Sequence, residues 1–322
     1  MQAVAVISVE GLYKHYGPVK AVDGVSFQIN AGEIFGMVGP NGSGKTTTIE
    51  CIEGLRQPDQ GKLRVLGLDP QQDFYALRER IGVQLQASNL PARLRLEEAL
   101  ELFASFYRQT ADWRPLIQEL GLADKRRAFY SQLSGGQKQR LFIALALLNQ
   151  PEIVFLDELT TGLDPQARRL TWELVRQIRE RGTTVFLTTH FMDEAERLCD
   201  QVAILDHGQV LALDTPSNLV SQLGMSRRVA FQISDDGLVY TKSTAQGSSE
   251  PAFDPGILKT IVGVQKVDWD GEAVTVYGQG NELAGQVVMA LGNAGVGFTD
   301  LLSERANLEY VFLALTGRAI RN

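Results

Sequence analysis

A two-domain α/β protein is the prediction, and three observations carry it. Apolar, strand-like runs alternate with helix-like segments up to residue 224, the pattern of a parallel sheet with crossover helices. At 322 residues the chain is too long for one average domain and suits two. The composition then shifts: TKSTAQGSSEPAFDPG, 241–256, is rich in Ser, Thr, Gly and Pro and reads as a loop. We therefore expect a first domain over 1–224 and a second, small α+β domain over 225–322.

In chain order, AVISVEGL and VSFQI read as short strands joined by turns within 1–35. The turn Asn30-Ala31-Gly32 leads into EIFGMVG, an unbroken apolar run of the kind buried on both sheet faces. A glycine-rich turn and the helical run TTTIECIEGL follow, giving strand–loop–helix. After the turn Pro58-Asp59-Gln60-Gly61 a strand pair is expected over 61–69. Residues 94–148 read as mostly helical; Leu96, Leu100, Phe103 and Tyr107 recur at helical spacing on one face. EIVFLDE (152–158), TTVFLTTH (183–190) and QVAILDHG (201–208) read as strands separated by helices. Beyond 224, the order RRVAFQIS, helical GILKTIVG, VQKVDW, AVTVYG, helical ELAGQVVMALGNAG and VGFTDLLS is roughly βαββαβ, a ferredoxin-like pattern. The helix NLEYVFLALTG closes the chain.

Composition narrows the function. Apolar residues at 44% and charged residues at 21% provide for an ordinary large core. The net charge of -7 argues against a general nucleic-acid binder, which needs a basic face, but not against phosphate held by a local cradle of backbone N–H groups. Cys51 and Cys199 are far apart and lack metal-ligand spacing, so both read as small buried apolar residues in a reducing compartment. The N-terminal stretch has no basic segment with a cleavage site, so no signal peptide is expected. The longest clean apolar run, LFIALALL over 141–148, is far too short to span a bilayer. Were the chain to serve transport, the channel would be another chain.

Two motifs carry chemistry. GPNGSGKT, 39–46, satisfies G-x-x-x-x-G-K-[ST], follows a strand and opens a helix. Gly39, Gly42 and Gly44 let the backbone curl so that successive N–H groups converge on phosphate oxygens. The helix beginning near Lys45 adds its positive dipole end. Lys45 supplies a mobile charge for the β- and γ-phosphates, and the Thr46 hydroxyl can ligate Mg²⁺. The second motif is LSGGQ, 133–137. It opens the helix QKQRLFIALALL with Ser134 placed as a cap, and so makes a second anion site. Two separate phosphate devices in one fold make sense when two copies face each other and each supplies half of a site.

With these motifs the chain resembles the ATP-binding cassette family over about residues 5–220. GPNGSGKT, LSGGQ, FLDE (155–158), TTGLD (160–164) and TTH (188–190) stand in the family's order. The resemblance implies a P-loop NTPase cassette with an antiparallel β subdomain and a helical signature subdomain at about 87–148. It also implies a head-to-tail homodimer with two ATP molecules between the Walker A cradle of one copy and the LSGGQ of the other.

The roles implied residue by residue follow. Gly39, Pro40, Asn41, Gly42, Ser43, Gly44, Lys45, Thr46 and Thr47 cradle the phosphates. Asp157 holds Mg²⁺ through water, Glu158 is the general base, and His190 resembles the switch histidine at the γ-phosphate. Tyr16 is similar to the aromatic that stacks on adenine, with Tyr13 as a competitor. Ser134, Gly135, Gly136 and Gln137 face the other copy's ATP, and Asp164 resembles the aspartate that crosses the interface. Family spacing selects Gln86 as the glutamine that senses Mg²⁺ and the membrane partner; Gln84 lies two residues away. Leu159 stands where the family commonly has proline. His15 and His207 read as surface residues, with His207-Gly208 as a hairpin turn.

RANLEYVFLALTGR, 305–318, is similar to the ending of export-type cassette subunits that move drugs, lipids or polysaccharides through a separate integral membrane permease. That places the chain on the cytoplasmic face of the membrane. A soluble cassette acting on ribosomes or DNA would carry two cassettes or a long coiled coil, and a simple P-loop kinase would lack LSGGQ.

Overall fold

A computed structural model describes residues 5–84, 89–234, 253–271 and 273–317. The chain forms two compact units, with the break after Pro216. The compositional shift read at 224 comes later, because the helix that starts at the break is compositionally ordinary.

The first unit opens with two long antiparallel strands, β1 (Ala5–Tyr16) and β2 (Val19–Asn30), followed by β3 (Ile34–Val38), helix α1 (Lys45–Ile52) and β4 (Gln60–Val65). β1, β2 and β4 form a three-stranded antiparallel sheet in the order β2-β1-β4. The sequence reads this strand as AVISVEGL, ending at Leu12, whereas β1 continues to Tyr16 and Gly11 forms a bulge within it. The φ of Gly11 is 56°, its N–H donates to Ser26 Oγ at 2.8 Å, and the register shifts between Val9 and Leu12. The strand pair expected over 61–69 is a correction: only β4 forms, and Leu68 merely bridges back to Val65 around Leu66 and Gly67, both at positive φ.

Next come α2 (Phe74–Arg78), β5 (Ile81–Gln84), α3 (Leu96–Ala104), α4 (Trp113–Glu119) and α5 (Gly135–Leu147). α3 stops at Ala104, so Leu96 and Leu100 are buried on it while Tyr107 lies past its end. Then follow β6 (Ile153–Asp157), α6 (Pro165–Glu180), β7 (Thr184–Thr189), α7 (Met192–Leu198), β8 (Gln201–Asp206) and β9 (Gln209–Asp214). The second sheet runs β5-β6-β7-β3-β8-β9, parallel except for the β8–β9 hairpin. Every residue of β3, β6 and β7 is buried, which is why these strands read as unbroken apolar runs. Their carboxyl ends lie side by side, so the loops leaving them converge at one edge, where open parallel sheets bind ligands. Beneath that edge Phe27 of β2 stacks on Phe35 at 5.1 Å, Phe35 meets Phe186 at 5.4 Å, and Phe186 meets Phe155 at 5.7 Å. Each pair adds about 0.5–1.5 kcal/mol beyond area burial and ties the antiparallel sheet to the parallel one.

Helix α8 (Pro216–Gln222) begins at the break. The second unit continues with β10 (Arg227–Ile233), α9 (Gly256–Lys259), β11 (Val264–Trp269), β12 (Ala273–Gly278), α10 (Leu283–Asn293), β13 (Phe298–Arg305) and α11 (Leu308–Thr316). Its sheet is antiparallel throughout, in the order β11-β12-β10-β13. This is the ferredoxin-like topology read from the element order, although α9 is a single turn. Val229, Phe231, Val274 and Val276 on one sheet face pack with Leu283, Val287 and Leu291 of α10. Asn307 caps α11, which buries Leu308, Val311 and Phe312 and leaves Leu315 exposed. Among the described residues no helix is long and apolar enough to cross a membrane.

Candidate nucleotide-binding and hydrolysis site

The cradle forms where β3 gives way to α1. Gly44 has φ 106°, and a Cβ there would overlap the Ala21 carbonyl; a Cβ on Gly39 would overlap the Leu205 carbonyl. Glycine is therefore required at Gly44 by backbone hand and by space, and at Gly39 by space. The Ser43 N–H donates to the Pro40 carbonyl at 3.1 Å and curls the loop. A second clamp comes from the hairpin turn His207-Gly208, both at positive φ: the Gly208 N–H donates to the Ser43 carbonyl at 2.9 Å, and its carbonyl accepts from the Asp23 N–H at 2.8 Å.

Lys45 opens α1, is 4% exposed, and donates to the carbonyls of Gly39 at 2.8 Å and Pro40 at 3.1 Å. Burial holds its pKa below the ordinary lysine value, against the pull of Glu158 and Asp157. Asp157 ends β6 and is pushed the other way. Burial raises its carboxyl, opposed first by the hydrogen bond that Thr188 donates to Oδ1. Thr46 donates to Asp157 Oδ2 at 3.4 Å. In both groups burial outweighs the neighbouring hydrogen bonds and opposite charges. A buried carboxylate and a hydroxyl, both hard oxygen donors, fit Mg²⁺, which keeps several waters and does not need a cage of protein ligands. Among the described residues no group of three or more His, Cys, Asp or Glu is placed to hold a metal ion by itself.

Glu158 stands in left-handed backbone, φ 49°. Such a position costs a non-glycine residue about 1–3 kcal/mol and marks functional sites. Its N–H is held by the Thr188 carbonyl at 3.1 Å and the Thr188 hydroxyl at 3.2 Å. The next residue, Leu159, which stands where the family commonly has proline, is buried. So oriented, Glu158 Oε1 lies 3.5 Å from His190 Nδ1 and 3.9 Å from Lys45 Nζ. Thr188 thus braces both acids, a role the sequence reading passed over although TTH contains it.

A cleft of about 770 Å³ runs from Tyr16 across Gly42, Lys45, Thr46 and Thr47 to Glu158. His207 also lines it, from the exposed hairpin turn where the sequence reading puts it. Tyr16 is 41% exposed and faces this cleft; Tyr13 does not. Ser134, Gly135, Gly136, Gln137 and Asp164 do not line it either. Ser134 caps α5, accepting from the Gln137 N–H at 3.3 Å, while Gln137 Oε1 accepts from the Ser134 N–H at 2.9 Å. Asp164 caps α6 through the N–H groups of Gln166 and Ala167. The N-terminal turns of α5 and α6 adjoin: a Cβ on Gly136 would stand 3.1 Å from the Ala167 methyl. Gln86 lies outside the described residues; Gln84 is buried at the end of β5.

A phosphate cradle with an acid pair and a histidine at the carboxyl edge of a parallel sheet defines a P-loop nucleotide hydrolase. Comparison with known proteins narrows the class. Residues 22–161 match the family model described as ABC transporter. The Nod factor export ATP-binding protein I of Ralstonia nicotianae is 36% identical over 98% of this chain and 95% of its own length. The daunorubicin resistance ATP-binding protein of Streptomyces coeruleorubidus is 37% identical over 97% and 96%. Among solved structures, an ATP-binding subunit of an ABC transporter aligns with TM-score 0.62 and 31% identity over 68% of this chain and 93% of its own. A bacterial ABC transporter cassette described as dimeric aligns with TM-score 0.57 and 30% identity over 65% and 98%. The chain belongs to the ABC transporter family as an ATP-binding subunit, and it is an ATPase.

Proposed function

We propose that this subunit powers export through a separate integral membrane permease, working as a homodimer that closes on two Mg-ATP molecules. One observation carries the reading: the capped, glycine-flanked N-terminus of α5 is built to hold an anion, yet contributes nothing to its own chain's cleft. A second copy brings Ser134, Gly135, Gly136 and Gln137 onto the ATP held by the first, with Asp164 beside the seam. The export direction follows the name of the Nod factor export relative.

In this reading Tyr16 stacks on adenine, and Gly39 to Thr47 hold the phosphates. Thr46, Asp157 and Gln86 would hold Mg²⁺, which supplies charge neutralisation at the β- and γ-phosphates. Glu158 takes the proton of the attacking water, and His190, in contact with Glu158, meets the γ-phosphate. The permease engages a groove of about 1090 Å³ lined by Phe74, Tyr75, Phe103, Phe106 and Tyr107. Tyr75 and Phe106 are 86% and 66% exposed, an apolar outlay that a partner would cover. This docking places the chain on the cytoplasmic face of the membrane; no nucleic-acid partner is proposed. The sequence stretch 86–107, from Gln86 into α3 and beyond, is the one expected to meet the permease, and Ala87 and Ser88 at its start lie outside the described residues.

Phe106→Glu tests this. Membrane association in cells making the permease should fall at least about tenfold, since a charge would be buried in an apolar contact. ATPase activity of the purified subunit should stay within about twofold, because Phe106 is remote from the phosphate cleft. Unchanged co-sedimentation with those membranes would count against the groove.

The second unit, from Ser217 onward, carries none of the nucleotide motifs, and we assign it to dimer support. A chain ending at Gly224 should bind ATP with near-normal affinity, while its dimer should dissociate more readily once nucleotide is removed. Sedimentation with and without ATP reads both. Loss of ATP binding in a folded truncation would refute the assignment.

A further inference from the structure

The aromatic plate at the base end of the cleft is not held by its own strand alone. Tyr16 is the last residue of β1, before the turn Gly17-Pro18, and its ring is half out in solvent. An exposed ring there loses side-chain freedom when a base stacks on it, a cost set against binding. Two cations reduce that freedom in advance. The Arg56 guanidinium lies 5.3 Å from the ring centroid and Lys14 Nζ lies 5.8 Å away, both within cation–π range. Each cation is itself fixed. Arg56 Nε donates to Glu50 Oε2 at 2.6 Å, and the Arg56 carbonyl accepts from Gln71 Nε2 at 2.9 Å. Lys14 Nζ donates to Asp59 Oδ1 at 2.8 Å, and Asp59 Oδ2 accepts from the His15 N–H at 2.6 Å. The cleft is lined by Tyr16 but by none of Arg56, Lys14 or Glu50, so the cations reach the ring from outside the cleft's lining.

We propose that Arg56, anchored by Glu50, is a positioning residue for base binding: it holds the Tyr16 ring from outside the cleft's lining and leaves the face toward the cleft to the purine. The inference rests on reading Tyr16 as the base-stacking residue. The cation draws on the ring's π electrons and makes the open face less negative, which favours stacking by an electron-rich purine. Glu50 sits on α1, the helix that also carries Lys45 and Thr46. The base end and the phosphate end are thereby joined through one rigid element.

The test compares Mg-ATP with inorganic tripolyphosphate, which has the phosphates but no base, as ligands of the full-length protein. Arg56→Met should weaken ATP binding about three- to fivefold, the factor expected of one exposed cation–π contact, and leave tripolyphosphate binding unchanged. Arg56→Lys should recover most of the loss. Tyr16→Ala should weaken ATP at least as much, and adding Arg56→Met to it should change nothing more. Glu50→Gln, which leaves the charge but frees the guanidinium, should give a smaller loss confined to ATP, and it stands in should Arg56→Met fail to fold. Arg56→Met and Glu50→Gln both keeping the wild-type ratio of the two affinities, with Tyr16→Ala shifting it, would overturn the positioning role alone. Losses of equal size for both ligands, or a double variant equal to the product of the singles, would overturn it too. An unchanged ratio in Tyr16→Ala would remove the stacking reading and the inference with it.

Discussion

Glu158→Gln is expected to bind Mg-ATP normally and hydrolyse it roughly 10²–10⁴-fold more slowly, the range for losing one general base. The substitution keeps the side chain's shape and its place in the left-handed turn, which the Thr188 carbonyl and hydroxyl hold through the backbone N–H. What it removes is the acceptor for the water's proton. The negative charge next to Lys45 also disappears, at 3.9 Å, which leaves the lysine freer to meet the polyphosphate. Affinity should therefore hold or rise slightly while turnover collapses. A protein that binds but does not cleave should accumulate as an ATP-held dimer, visible as a doubled mass in sedimentation with Mg-ATP that reverts on nucleotide removal. Single-turnover hydrolysis at the wild-type rate would show that Glu158 is not the base.

The parts of this site that the sequence exposes are the ones whose physics is local. EIFGMVG, EIVFLDE and TTVFLTTH read as strands because β3, β6 and β7 are buried on both faces. The cradle reads from its glycines because Gly39 and Gly44 have no room for a Cβ. Ser134 reads as a cap because the capping box closes within four residues. What stays hidden is non-local. Thr188 bracing Asp157 and Glu158, and Arg56 beside Tyr16, join residues that only the folded sheet brings together. The extent of β1 is also non-local: the run AVISVEGL stops at Leu12, while YKHY beyond it, which lacks apolar alternation, continues the strand by pairing with β2. Likewise the unit break after Pro216 has no compositional mark, because α8 reads like any other short helix.

A mixture of Lys45→Ala and Ser134→Arg chains should regain activity that neither has alone. Lys45→Ala strips the cradle of its buried ammonium, which lies beside the Gly39 and Pro40 carbonyls at the mouth of α1. Both sites of its homodimer lose their phosphate charge. Ser134→Arg removes the cap of α5, worth about 1 kcal/mol, and sets a long side chain across the anion-binding turn. That turn serves no part of its own cleft, so the damage falls on the partner's ATP in both sites of this homodimer as well. A mixed dimer sorts the lesions. One site pairs the stripped cradle with the blocked turn, and the other pairs an intact cradle with an intact turn. Equal mixing by symmetric association puts half of the dimers in the mixed state, each with one good site, so recovery should approach about a quarter of wild-type activity. ATP hydrolysis of each variant and of their mixture, with two affinity tags to confirm that mixed dimers form, gives the measurement. Tagged mixed dimers with no more activity than the parents, or either parent fully active on its own, would rule out a site shared between two copies.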